Sequence, residues 1–128
     1  MIYLFQDLTQ HKMKNLEAIR SRYLQQDSAR RIGGLAANLA RVASFADNPN
    51  NLKAVETIIE ESKFLIEWIA PDYPLEYQAK LIELQIQLSL WHLKFPEIYK
   101  NPELLKEIII QASAWSEELL KISGLTEK

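Results

Sequence analysis

Leu84-Gln85-Ile86-Gln87-Leu88-Ser89-Leu90 alternates apolar and polar residues without a break. Period two is the signature of a half-buried strand. Plotted at about 100° per residue, the wider segment reads differently. Leu75, Ala79, Ile82, Ile86 and Leu93 fall on one side of the wheel. Tyr77, Leu81, Leu84, Leu88, Trp91 and Phe95 fall nearly opposite. Glu76, Lys80, Glu83 and Lys94 occupy one narrow arc between the two. Random placement rarely segregates charge in this way. A helix buried over most of its circumference accounts for both patterns, and the segment reads as helix 4, about 74–95. Pro74 lies near its first position, where a missing N–H does no harm, and Pro96 is the expected stop.

The segments on either side carry helical signals too. Helix 5 spans about 102–123: Asn101 is its cap, Pro102 its first residue, and Glu103 suits the dipole end. Its seam is Leu105, Ile108, Ala112, Trp115, Leu119 and Ile122, with Ile109 and Ile110 beside it. Gly124 reads as a left-handed stop, with Leu125 able to pack back on Leu120. Helix 3 spans about 52–70 after the turn Asp47-Asn48-Pro49-Asn50-Asn51, capped by Asn50 or Asn51 and ended by Pro71. Leu52, Val55, Ile59, Ser62, Ile66 and Ile69 form its seam, and Lys53, Glu56, Glu60, Lys63 and Glu67 its solvated face. Helix 2 spans about 28–46 behind Asp27, with the seam Ile32, Leu35, Leu39, Val42 and Ala46. Gly33, Ala37, Ala40 and Ser44 make a stripe of small residues, expected to admit a neighbouring helix. Helix 1 spans about 8–25, capped by Asp7, with the thin stripe Leu8, Leu16, Ile19 and Tyr23. Ahead of it, residues 1–7 read as an arm, a short strand or more helix.

Short loops make neighbouring helices antiparallel. The expected fold is therefore all-α: an antiparallel bundle of four to five helices in one compact domain, with helix 2 or helix 4 most enclosed. The 128-residue length fits one domain. The absence of cysteine removes a disulfide framework, a Cys-ligated zinc site and a thiol nucleophile, and favours the cytoplasm. The longest uncharged stretch, Leu84 to Leu93, is too short to span a bilayer, which takes about 20 residues. No membrane partner is expected.

Residues that carry chemistry are scarce. Ile32-Gly33-Gly34-Leu35 lacks the Gly-Lys-Ser/Thr ending of a phosphate loop. Leu8 and Ser89 stand three residues before His11 and His92, so the Glu-x-x-His pairs of helical metal sites are missing. The pairs Glu60-Glu61 and Glu117-Glu118 lie on charged helix faces, where solvation suits them better than acid–base work. The reading is a non-enzymatic chain with no cofactor and no metal.

Three features remain as binding candidates. The first is the second apolar stripe of helix 4. If it is exposed, it marks an interaction site for a protein partner or for a second copy in a homodimer. Tyr77, Leu84, Leu88, Trp91 and Phe95 are the expected anchors, because large aromatics dominate interface energetics. The chain would then be an interaction module, a small regulatory or structural subunit. The second is charge. Residues 1–46 hold seven basic and three acidic groups, a balance of +4, and the remainder of the chain balances at −6. Arg20, Arg22, Arg30, Arg31 and Arg41 form a candidate anion patch, the basis of an alternative reading as an accessory nucleic-acid-binding subunit. Complementarity with the acidic later helices is the plainer use of these arginines. The third is the polar strip Gln78, Gln85, Ser89 and His92 on helix 4: an internal hydrogen-bond network, a small-ligand pocket, or part of an interface.

Overall fold

Asp27 opens a helix as its residue type suggests. Its Oδ1 accepts a hydrogen bond from the Arg30 N–H at 2.8 Å, which satisfies one of the free donors of the first turn. The computed structural model describes residues 15–21 and 27–124. Residues 15–21 are helical and are termed α1. They are followed by α2 (Ser28–Phe45), α3 (Leu52–Ile69), α4 (Leu75–Ile98) and α5 (Pro102–Ser123). Short 3-10 turns at Pro49–Asn51 and Ala70–Asp72 join α2 to α3 and α3 to α4. The expectations for residues 1–7, Leu8, His11, Arg22, Tyr23 and Leu125 lie outside the described residues.

Contacts along the helices fix their directions. Arg31, near the start of α2, meets Asp72 just after α3. Lys80, near the start of α4, meets Glu118 near the end of α5. The Ser116 hydroxyl, late in α5, donates to the Ala36 carbonyl in the first half of α2 at 2.8 Å. Each neighbouring pair therefore runs antiparallel, and α2, α3, α4 and α5 close a four-membered ring in which each helix touches the next and α5 returns to α2. The all-α antiparallel bundle expected from the sequence is what forms. Beside this ring, Leu16 and Ile19 of α1 line a groove with Thr57, Glu60, Glu61 and Phe64 of α3.

One core fills the ring. The seams of α2 and α3 are buried along their whole length, from Ile32 to Ala46 and from Leu52 to Ile69. Leu81, Leu84, Leu88, Ile108, Ala112 and Leu119 complete it from α4 and α5. Full burial of a Leu or Ile side chain contributes about 1.5–3 kcal/mol. Two polar links cross this core. Asn38 Nδ2 donates to Ser62 Oγ at 3.3 Å between α2 and α3, and the Ser62 hydroxyl donates in turn to the Ile58 carbonyl at 2.7 Å. Arg41 donates to Asn38 Oδ1 from the rim. With the Ser116–Ala36 bond, these links tie α2 to both neighbours at one longitudinal position, because a slip would strand buried polar atoms.

Four local expectations are corrected. Gly33, Ala37, Ala40 and Ser44 receive no neighbouring helix among the described residues: Gly33 is half-buried and the other three are exposed. They lie opposite the α2 seam, whereas the buried small residues of α2 and α5 are Ala36 and Ser116, beside the seams, and Ala112, within the α5 seam. Helix α4 does not stop at Pro96 but continues to Ile98. Proline removes one N–H and strains one turn, but burial of Phe95 and Ile98 holds the last turn in place. Asn51 stands at the cap of α3 without a side-chain cap bond, while Asn48 Oδ1 accepts from the Asn50 N–H at 3.0 Å and closes the turn before it. Finally, Glu56, Glu60 and Lys63 are half-buried rather than fully solvated. At the far end of the chain, Asn101 Oδ1 accepts from the Glu103 and Leu104 N–H groups, and Gly124 ends α5 at φ 75°.

Candidate functional site

Helix α4 occupies one corner of the ring, touching α3 along one flank and α5 along the other. A helix in that position can bury one stripe, yet its sequence carries two. The stripe turned inward is Leu81, Leu84, Leu88, Trp91, Phe95 and Ile98, all buried, with Tyr77 half-buried at its start. This corrects the placement of the expected anchors. Leu84, Leu88, Trp91 and Phe95 are core residues, and Tyr77 packs edge-on against Tyr73 with ring centroids 6.2 Å apart. None of the four core residues offers a free surface. Helix α4 is likewise not enclosed over most of its circumference.

The stripe left outside is the other one. Leu75 is 81% exposed, Ile82 56%, Ile86 58% and Leu93 77%, and Ala79 is exposed with them. Leu90, at 44%, widens the stripe towards α5. With Ser89 included, Leu75, Ala79, Ile82, Ile86, Ser89 and Leu93 follow 4-3-4-3-4 spacing. That is the heptad rhythm of a helix-packing seam. Scattered surface leucines are ordinary, but a contiguous apolar stripe marks an interaction site. Ile110 is the exposed large apolar residue of α5 among the described residues.

The flanks of the stripe differ in character. Towards α5 lie Lys80, Glu83, Gln87 and Lys94, which border open grooves with Gln111, Trp115 and Glu118. Lys80 donates to a Glu118 carboxylate oxygen across that flank. The hydrogen bond, and then the mutual attraction of the charges, raises the Lys80 pKa above the ordinary lysine value and lowers that of Glu118 below the usual carboxylate range. Towards α3, Ser89 and His92 line a groove with Glu56, Lys63, Leu93 and Pro96.

The polar strip does not act as one network. Gln78 Nε2 donates to the Tyr73 carbonyl at 2.7 Å, fastening the start of α4. The Gln85 Oε1 is enclosed without a hydrogen-bond partner among the described residues. Ser89 and His92 face the α3 groove, half-buried. Among the described residues no three His, Cys, Asp or Glu side chains converge as a metal site would require.

The arginines are dispersed. Arg30 lies 3.8 Å from Asp27, and Arg31 3.2 Å from Asp72. Arg41 donates to Asn38. Arg20 is exposed on α1, and Arg22 lies outside the described residues. The acidic pairs differ: Glu60 and Glu61 both border the α1 groove, whereas Glu118 is held by Lys80 and Glu117 is exposed. No helix among the described residues is long and apolar enough to cross a membrane.

Comparison of the chain with protein families, curated proteins and solved structures found no match. The surface itself is therefore the ground for a functional reading.

Proposed function

We propose that this chain is a non-enzymatic protein–protein interaction module, a small regulatory or structural subunit that associates through the outward stripe of α4. One observation carries the reading: Leu75, Ala79, Ile82, Ile86 and Leu93 keep a seam spacing while facing solvent. A helical partner laid along them would bury their side chains at about 25 cal/mol per Å². The arginine patch supports nucleic-acid binding less well, since Arg30 and Arg31 each stand beside a carboxylate of the same chain.

The test is the native mass of the chain in extracts of the cells that make it. The wild-type chain is expected in a species heavier than its own 14.9 kDa, and that species should persist as salt is raised. Phosphate binding, by contrast, weakens steeply with salt. Ile82→Asp with Ile86→Asp should return the chain to 14.9 kDa without changing its helical spectrum. A wild-type chain that already runs at its own mass, with the double variant indistinguishable from it, refutes the reading.

A further inference from the structure

The stripe that faces solvent is complementary to itself, and this limits what covers it. Leu75 and Leu93 lie 18 residues apart, five full helical turns, so they mark the two ends of one straight line on the helix. Between them the line reads large, small, large, large, small, large: Leu75, Ala79, Ile82, Ile86, Ser89, Leu93. The order of sizes is the same from either end. A helix with this property fits a copy of itself turned end for end. Resting on the proposal that this face is an association surface, we infer that its occupant is α4 of a second copy of this chain, packed antiparallel about a two-fold axis between Ile82 and Ile86.

In that register Leu75 meets Leu93 of the second copy, Ala79 meets Ser89, and Ile82 meets Ile86, each pair occurring twice as a two-fold requires. The small pair lets the backbones approach, while the large pairs fill the ends and the centre. Charge favours the same direction. Glu76 and Lys94 are also 18 residues apart and share the α5-side flank of the stripe. Antiparallel packing sets Glu76 beside Lys94 of the second copy. Parallel packing would turn this flank of one copy towards the opposite flank of the other, which carries Gln78, Gln85 and His92, and would leave Glu76 and Lys94 without opposite charges across the seam. The opposite flank carries Gln78, Gln85 and His92, which pair across the axis without opposing carboxylates or ammonium groups. One like-charge meeting remains, Glu83 with its own counterpart near the axis. Net charge is only −2 per chain, so long-range repulsion is small. The contact line from Leu75 to Leu93 is about 27 Å long. A single helix face of that length lies at the small end of specific interfaces.

The chain has no cysteine, which makes the register directly readable. Purified Leu75→Cys and Leu93→Cys chains, mixed and mildly oxidised, should give a cross-linked dimer of one of each, because facing positions bring their Cβ atoms within disulfide reach. Each variant oxidised alone should stay largely free of cross-link. Both positions are more than three-quarters exposed, so neither change threatens the fold. Glu76→Lys or Lys94→Glu alone should weaken self-association about two- to threefold, and the two changes together should restore it. Cross-linking of Leu75→Cys with itself would overturn the register. A purified wild-type chain that stays at 14.9 kDa up to near-millimolar concentration would overturn self-pairing altogether. If extracts still held that chain in a heavier species, the interaction-module reading would survive with a different partner.

Discussion

The two faces of α4 are built from the same materials and end in opposite environments. Inward, Leu81, Leu84, Leu88, Trp91 and Phe95 follow an unbroken 4-3 repeat and are buried. Outward, Leu75, Ala79, Ile82, Ile86 and Leu93 follow the same repeat once the half-buried Ser89 is counted between the last two, and these five face solvent. Apolarity and spacing do not separate them; size and neighbours do. The inward face carries the aromatic rings, and the closed ring of α2, α3, α4 and α5 has room inside for one stripe per helix. The seam left over is what a surface for association requires.

Truncation gives the largest contrast between the faces. Leu84→Ala removes a fully buried side chain and should destabilise the bundle by about 2–5 kcal/mol, the range for cavity-forming changes in cores. Ile82→Ala, two residues away, should change the stability of the dilute monomer by less than about 0.5 kcal/mol. Urea melts of the two variants, at concentrations too low for association, check the pair. Equal losses would erase the distinction between the faces.

A smaller effect sharpens the flank. The Lys80–Glu118 pair ties α4 to α5 at the surface. Glu118 titrates below the usual carboxylate range in the folded chain, so its contribution is present at neutral pH and is lost as pH falls through that lowered value. Lys80 titrates above the ordinary lysine value, so the contribution is also lost as pH rises through it. The stability gap between wild type and Glu118→Gln should be slight at neutral pH and should close at both extremes. Thermal melts across pH measure this, and a gap that is constant with pH would mean the pair does not hold the flank.

Much of the bundle was legible because its signals are local. Asp27, Asn101 with Pro102, and Gly124 mark helix ends through hydrogen bonds or backbone angles that their own residue types impose. The seams of α2 and α3 read correctly because each helix has one continuous apolar line to bury. In α4 the helix was legible but its orientation was not. Two lines of equal rhythm leave the choice to the neighbours, and the presence of Trp91 and Phe95 points as readily to an interface as to a core. The core polar links were missed for a related reason. Asn38, Ser62 and Ser116 are single residues on three different helices, and nothing in the chain order brings them together before the fold does. Pro96 misled because a helix boundary depends on what the next turn buries as well as on a missing donor.

The claim on which the function rests is that the outward face of α4 is left uncovered by its own chain. Thermal unfolding of Leu88→Asp and Ile86→Asp, followed side by side by far-ultraviolet circular dichroism in dilute solution, tests it most directly. Leu88→Asp places a charge in the core and should abolish the cooperative transition. Ile86→Asp should melt cooperatively and within a few degrees of the wild-type chain. If Ile86→Asp collapses as Leu88→Asp does, the stripe is already buried within the monomer, and neither the association surface nor the self-pairing of α4 stands.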